Sequence, residues 1–180
     1  MDQNDLAERL VGLEARLTLL EDEKAVRELL SRYGYYADTC LDDQYIDLFT
    51  DDCVMDVSSG YSGDPYKVLE WRGKESLREF LMARSARHGD GFRGNSLHMQ
   101  GNNLAIQIDG VDAVATGYSF ILCHEDEVGV RLVSASINRW HLDKIEGSWR
   151  VRTRTRRAIG APDSAAILTS SRARNTAQDG

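Results

Sequence analysis

The stretch Ser96-Leu-His-Met-Gln-Gly-Asn-Asn-Leu-Ala-Ile-Gln-Ile108 marks a change of period in the chain. Before it, apolar residues recur three and four apart, as on one face of a helix; from it onward they alternate with polar ones, as along a strand. Strand signals run from Ser96 to Ile108, Val111 to His124, Gly129 to Leu142 and Trp149 to Ile159. Asp109-Gly110 and Glu146-Gly147 supply hairpin chemistry, and Asp126 to Gly129 a third turn. Within the first of these strands His98 shares parity with Leu104, Ile106 and Ile108, which points its ring to the apolar interior. In the next, Val114, Thr116, Tyr118, Phe120 and Leu122 form one apolar and aromatic face. In the last, Arg150, Arg152, Arg154 and Arg156 alternate with Trp149, Val151, Thr153 and Thr155, so the arginines are expected on a solvent-facing or subunit-facing surface, with a basic substrate-binding stripe as the alternative. Arg157 falls by parity on the apolar side, where a guanidinium needs an acidic partner or an anionic ligand.

Working back toward the N-terminus, Leu10, Leu13, Leu17 and Leu20 make one helical stripe that continues through Val26, Leu29, Leu30 and Tyr33. One long helix, or two end to end, is expected from about Asp5 to Leu41, packed across its own domain or a neighbouring subunit. A short helix from Asp43 to Phe49, strands from Cys53 to Val57 and from Tyr66 to Trp71, and an amphipathic helix from Lys74 to Arg87 complete the first half. Helices first and a strand meander last define an α+β layout. The chain reads as a single domain over residues 1–160, followed by a tail over 161–180 that is loop or partly disordered.

With 180 residues and 42% hydrophobic content the chain supports one core of ordinary size. A net charge of −7 works against a polyanion partner, because phosphates are held chiefly by Lys and Arg; no nucleic acid is expected. No apolar run approaches the ~20 residues that span a bilayer, and the N-terminus lacks a signal-peptide pattern, so no membrane partner and a cytoplasmic location are expected. Cys40, Cys53 and Cys123 stand singly rather than in CxxC pairs, which argues for reduced packing residues and against a metal centre.

A histidine on an apolar strand face is by itself most often a hydrogen-bonded core residue, and Asp38 by itself reads as a cap or solvated helix end. Four segments taken together say more: Val26-Arg-Glu-Leu-Leu-Ser-Arg-Tyr33 leading to Asp38, Leu48-Phe-Thr-Asp-Asp-Cys-Val-Met-Asp56, Trp71-Arg-Gly-Lys-Glu-Ser-Leu77, and Ser96-Leu-His98-Met-Gln-Gly-Asn-Asn103. In this order and spacing the chain, from about Glu21 to Ile159, resembles the SnoaL-like family of the nuclear transport factor two and ketosteroid isomerase superfamily. The resemblance implies a cystatin-like, cone-shaped α+β barrel, with a strongly curved, mostly antiparallel sheet wrapped around the N-terminal helices.

The family's dehydratases and dehydrohalogenases, among them bile-acid 7α-dehydratase, scytalone dehydratase and hexachlorocyclohexane dehydrochlorinase, imply the chemistry. Their base is a histidine on the first long strand of the meander, oriented by an aspartate at the end of the first helical region; His98 and Asp38 occupy those places, and Tyr33, five residues before Asp38, resembles the tyrosine that the bile-acid enzyme carries at the same offset. A small-molecule substrate, no cofactor, no metal and a homo-oligomer, trimer ahead of dimer, are expected on the same ground. Trp71, Tyr118 and Phe120 are the expected pocket walls for a cyclic or aromatic substrate, with Arg157 as a further substrate contact. Two features depart from the bile-acid enzyme: Phe120 to Cys123 offers no second-strand acid, and its C-terminal arginine is matched by Arg157 or Arg156. A cyclase, an isomerase or a deformylating diarylpropane-type lyase is the competing outcome of the same proton transfer. A non-catalytic β subunit of a ring-hydroxylating dioxygenase is the competing reading from another class.

Overall fold

The structure, a computed structural model, describes residues 3–62, 67–92, 94–100 and 103–169. Helix α1 runs from Gln3 to Thr39; its described residues are exposed up to Glu21, and burial begins at Asp22. From there Val26, Leu29, Leu30, Tyr33 and Ala37, spaced three and four apart, bury one stripe against the sheet. The leucines before Asp22 are exposed, so of the two expected placements, across their own domain or a neighbouring subunit, the first is not met. The helix stops at Cys40, which takes a left-handed conformation (φ 53°) while the Leu41 N–H reaches back to the Tyr36 carbonyl at 3.1 Å. Helix α2 (Asp42–Ile46) comes directly after it and buries Tyr45 and Ile46.

Strands β1 (Phe49–Asp56) and β2 (Glu70–Arg72) come next, then helix α3 (Lys74–Phe92). Strands β3 (Ser96–Gln100), β4 (Ala105–Asp109), β5 (Asp112–Glu125), β6 (Gly129–Ile145) and β7 (Ser148–Ala158) complete one sheet in the order β2-β1-β7-β6-β5-β3, with β4 also on β5. Every pairing is antiparallel except β1 with β7. Helices in the first half and a curved, mostly antiparallel sheet in the second make the expected α+β fold. The core between them gathers Leu30, Tyr33, Tyr45, Phe49, Leu77, Leu81, Trp140, Leu142 and Val151.

Register decides which residues face this core. The stretch 96–108 is two strands, β3 and β4, both paired with β5, rather than one. The expected strand from Tyr66 is shorter, since β2 begins at Glu70 and residues 63–66 lie outside the described residues. Val151 pairs with Leu142 and Thr153 with the adjacent His141, so Arg152 has no partner and forms a bulge in β7. A bulge inserts one residue and exchanges the two faces beyond it. Arg150 and Arg152 therefore face outward, as expected, whereas Arg154, with 6% exposure, and Arg156 turn inward. The same shift moves Arg157 to the outer side, where Asp56 and Asp163 hold it at 2.8 Å each.

The aromatic face of β5 is likewise the outer one. His98 pairs with Ile121, so Ala115, Gly117, Ser119 and Ile121 line the interior and Tyr118 and Phe120 point away, Tyr118 with 40% exposure. Part of that outer face is covered by a helix, against the expectation of a loop or partly disordered tail: α4 (Ser164–Thr169) buries Ile167, and its Ile167 carbonyl accepts from Arg139. Residues 170–180 lie outside the described residues.

A β-carbon at a left-handed position costs roughly 1–2 kcal/mol, partly offset by the entropy glycine loses on folding. Cys40→Gly is expected to stabilise the protein by about 1 kcal/mol, seen as a higher urea midpoint at unchanged slope.

Candidate active site

The site begins with an edge strand. β3 pairs with β5 on one side only, and on the other its backbone would be left without a partner. Asp38, one residue before the end of α1, fills that gap. Both carboxylate oxygens accept the His98 backbone N–H at 2.9 Å, and Oδ1 lies 2.7 Å from His98 Nδ1. Ser96 Oγ donates to the same oxygen at 3.4 Å. One carboxylate thus fixes both the position of the strand and the tautomer of the ring: Nδ1 carries the proton and donates it to Asp38, leaving Nε2 as the basic nitrogen. Both side chains are mostly buried, with 14% and 17% exposure for Asp38 and His98.

This contact requires α1 to approach β3 closely, and Gly34 permits it. A β-carbon at Gly34 would stand 2.3 Å from the His98 carbonyl oxygen. Mid-helix glycine costs about 1 kcal/mol relative to alanine, so a glycine one turn before Asp38 is the sequence signal that could have revealed the crossing.

Tyr33 is placed deeper than expected. Its ring packs on Tyr45, Phe49 and Trp140 at centroid distances of 4.6, 6.2 and 4.9 Å, and the residue is 3% exposed, so it does not open beside His98 as expected. Its hydroxyl accepts from Arg154 Nη1, whose guanidinium lies over the Tyr33 and Trp140 rings at 4.9 and 4.6 Å. Arg154 Nε and Nη2 donate to Asn138 Oδ1 at 3.1 and 2.8 Å, and Asn138 Nδ2 donates to Ser119 Oγ at 2.8 Å. A polar rail therefore crosses the inner wall from α1 through β7 and β6 to β5. Asn138 was legible: it shares parity with Trp140 and Leu142, and a polar residue in a buried series is bound to have hydrogen-bond partners.

Beyond this rail Arg156 Nε donates to Ser136 Oγ at 2.8 Å, and Nη2 donates to Ser134 Oγ. Burial, with the charge of Arg154 adding to it, pushes the Arg156 guanidinium down to about 10, still cationic at neutral pH. Trp71 pairs with Met55, whose side chain is buried, and packs at a tilt on Phe80 with ring centroids 4.0 Å apart, so of the expected aromatic walls it is the one on the inner side. Tyr118, Phe120 and Arg157 are not brought to the dyad, for the register reasons given above. Burial pushes the Cys53 thiol up to about 11, which leaves it protonated and unreactive. An open surface cleft of about 230 Å³ lined by Phe49, Asp51, Lys74 and Arg150 contains none of the dyad or rail residues. Among the described residues no cluster of His, Cys, Asp and Glu could hold a metal ion, and no helix is long and apolar enough to cross a membrane.

Sequence and structure comparisons agree with this architecture. Residues 18–155 match the SnoaL-like domain, and the chain belongs to that family. No functionally curated protein matches the sequence. Among solved structures, a protein of the nuclear transport factor two type with a cystatin-like fold from Novosphingobium aromaticivorans is similar at 24% identity and a TM-score of 0.71, covering 88% of this chain and 96% of the other. Two further proteins of that organism share the fold. One, provisionally assigned as the β subunit of an aromatic-ring-hydroxylating dioxygenase, has 18% identity, a TM-score of 0.64 and coverage of 78% and 91%. The other, provisionally assigned as a scytalone dehydratase, has 16% identity, a TM-score of 0.59 and coverage of 78% and 86%.

Because the Gly34 site meets backbone rather than a movable side chain, Gly34→Ala should push β3 away from α1. A stability loss of about 1–3 kcal/mol in denaturant melts is expected, together with faster hydrogen exchange at the His98 amide. An unchanged melt and an unchanged His98 amide would contradict the close crossing.

Proposed function

We propose that this SnoaL-like protein is a cofactor-independent lyase of the dehydratase type, acting on a cyclic or aromatic small molecule. The observation that carries the proposal is the 2.7 Å contact between Asp38 Oδ1 and His98 Nδ1 on the inner wall of the sheet. His98 Nε2 takes a proton from a carbon made acidic by a neighbouring carbonyl or aromatic system. The C–H pair becomes the new double bond, and the hydroxyl on the adjacent carbon departs with its bonding pair. The imidazolium returns its proton to that oxygen, which leaves as water, and the enzyme is regenerated. Asp38 stabilises the imidazolium while it exists. In this reading Arg154, held by Tyr33 and Asn138, contributes a fixed positive charge to the same inner wall, and Tyr33 is a positioning residue that acts through Arg154.

An isomerase or cyclase would share the proton abstraction and differ only in the later steps, so the first step is the one to assay. Exchange of the acidic C–H for deuterium in D₂O, monitored by NMR over a panel of hydroxylated aromatic and polyketide-like compounds, reads it without knowledge of the leaving group. His98→Ala is expected to lower exchange and turnover about 10²–10⁴-fold with folding nearly intact, and Asp38→Asn to lower both as well. Turnover per folded molecule unchanged in His98→Ala would end the proposal. So would isolation of the native protein only as the small subunit of a larger iron-bearing partner, with no exchange activity of its own.

A further inference from the structure

The arginines of β7 divide by face in how their charge is met. On the outer side Arg152 lies 3.6 and 3.0 Å from Asp112 and Asp143, and Arg157 pairs with Asp56 and Asp163. On the inner side Arg154 and Arg156 have no carboxylate partner among the described residues. Arg154 has its whole fork occupied by Asn138 and Tyr33. Arg156 uses only Nε and Nη2, both on serine hydroxyls that lie 3.1 Å apart, and its Nη1 makes no hydrogen bond among the described residues. A largely buried cation without a counter-charge is unfavourable unless a ligand supplies one.

We propose that Arg156, seated on Ser134 and Ser136, receives a carboxylate carried by the substrate. A planar carboxylate matches the open edge of one guanidinium, and among the described residues no lysine or glycine-rich turn accompanies it as a phosphate site would call for. The register sets the distance. Ser134 pairs with Ile121 and Ile121 with His98, so the carboxylate end and the base are two strand spacings, about 10 Å, apart. The reacting carbon then lies about one ring's width from the carboxylate, an assignment that rests on the lyase reading above; the carboxylate site itself does not.

Benzoate, benzamide and phenyl phosphate, titrated into the full chain by calorimetry, test the site without turnover. Benzoate is expected to bind at least about ten-fold tighter than benzamide, and to lose about ten- to hundred-fold in Arg156→Gln. Equal binding of benzoate and benzamide by the unmodified protein overturns the site even if the Arg156 variant does not fold. Tighter binding of phenyl phosphate than benzoate overturns the choice of carboxylate. Intact benzoate binding with no deuterium exchange sinks the lyase reading alone.

A separate observation concerns the first 19 described residues of α1, Gln3 to Glu21, all exposed. This projection is about 28 Å long, contains Gly12, and has no packing on its own domain among the described residues, so it lacks the support a helix of this length needs. Leu6, Leu10, Leu13, Leu17 and Leu20 nonetheless recur four and three apart and are 45–65% exposed. With Leu10 and Leu17 in one seam position and Leu6, Leu13 and Leu20 in the other, Arg9 and Arg16 flank the seam on one side and Glu14 and Glu21 on the other. In a parallel, in-register pair each flanking arginine meets the glutamate five residues on in the second copy, Arg9 with Glu14 and Arg16 with Glu21. An antiparallel pair would instead set arginine against arginine.

The geometry points to a second copy of this chain as the occupant of the stripe, joined as a short parallel coiled coil. Mild oxidation of Leu6→Cys is expected to give a covalent dimer on a non-reducing gel, because equivalent positions meet only in the parallel register. Val11→Cys, on the far side, should behave like the parent chain. Charge reversal in Glu14→Arg/Glu21→Arg should weaken cross-linking of Leu6→Cys, and mixing with Arg9→Glu/Arg16→Glu in the same background should restore it. Equal cross-linking of the Leu6 and Val11 variants, or no response to charge reversal, overturns the pairing.

Discussion

The carboxylate of Asp38 joins the two halves of the molecule. It sits at the C-terminal end of α1, where the helix presents unsatisfied carbonyls and no basic residue in its last turn, a place that disfavours negative charge. The edge of the sheet holds it there: the His98 amide donates to both oxygens and the ring N–H to one. Each of those bonds is charge-assisted, the stronger kind. The arrangement has a chemical consequence. A cation forming on His98 during proton transfer would meet both a carboxylate and the negative end of a helix, so the feature that costs α1 stability in the resting protein favours the charged intermediate.

How far the sequence could be read depends on where local rules were sufficient. The change of period at Ser96, the hairpin residues Glu146-Gly147, both with positive φ, and the inward parity of His98 depend only on neighbouring residues, and each agrees with the structure. The pairing of Asp38 with His98, 60 positions apart, came from family resemblance and not from spacing. The faces of β5 and β7 failed for a different reason. Alternation predicts two faces but not which is inner, and an aromatic run such as Tyr118 and Phe120 looks like core until the outer face is seen to be partly covered by α4. In β7 a single unpaired residue, Arg152, reverses the alternation halfway along the strand. Nothing local marks it, because the bulge is fixed by how β7 meets β1 and β6 rather than by its own composition.

That one-residue shift controls the electrostatics of the interior. Without it Thr153 and Thr155 would face inward and the inner wall would be neutral. With it, two guanidinium groups turn inward, and among the described residues neither is paired with a carboxylate. Arg154 is tolerated because Asn138, Tyr33 and two aromatic faces satisfy it, and Tyr33 is buried as the price of doing so. Arg156 has only hydroxyls, which accept its protons but do not cancel its charge. A fold seeking stability alone would place such a residue outside, as it does with Arg152 and Arg157, each beside two carboxylates. Retaining an uncompensated cation on the same wall as an oriented imidazole is therefore an argument about ligands. The base needs an acidic proton presented at a fixed distance, and a fixed positive charge two strands away on the same wall supplies the second point that sets the orientation of an anionic molecule.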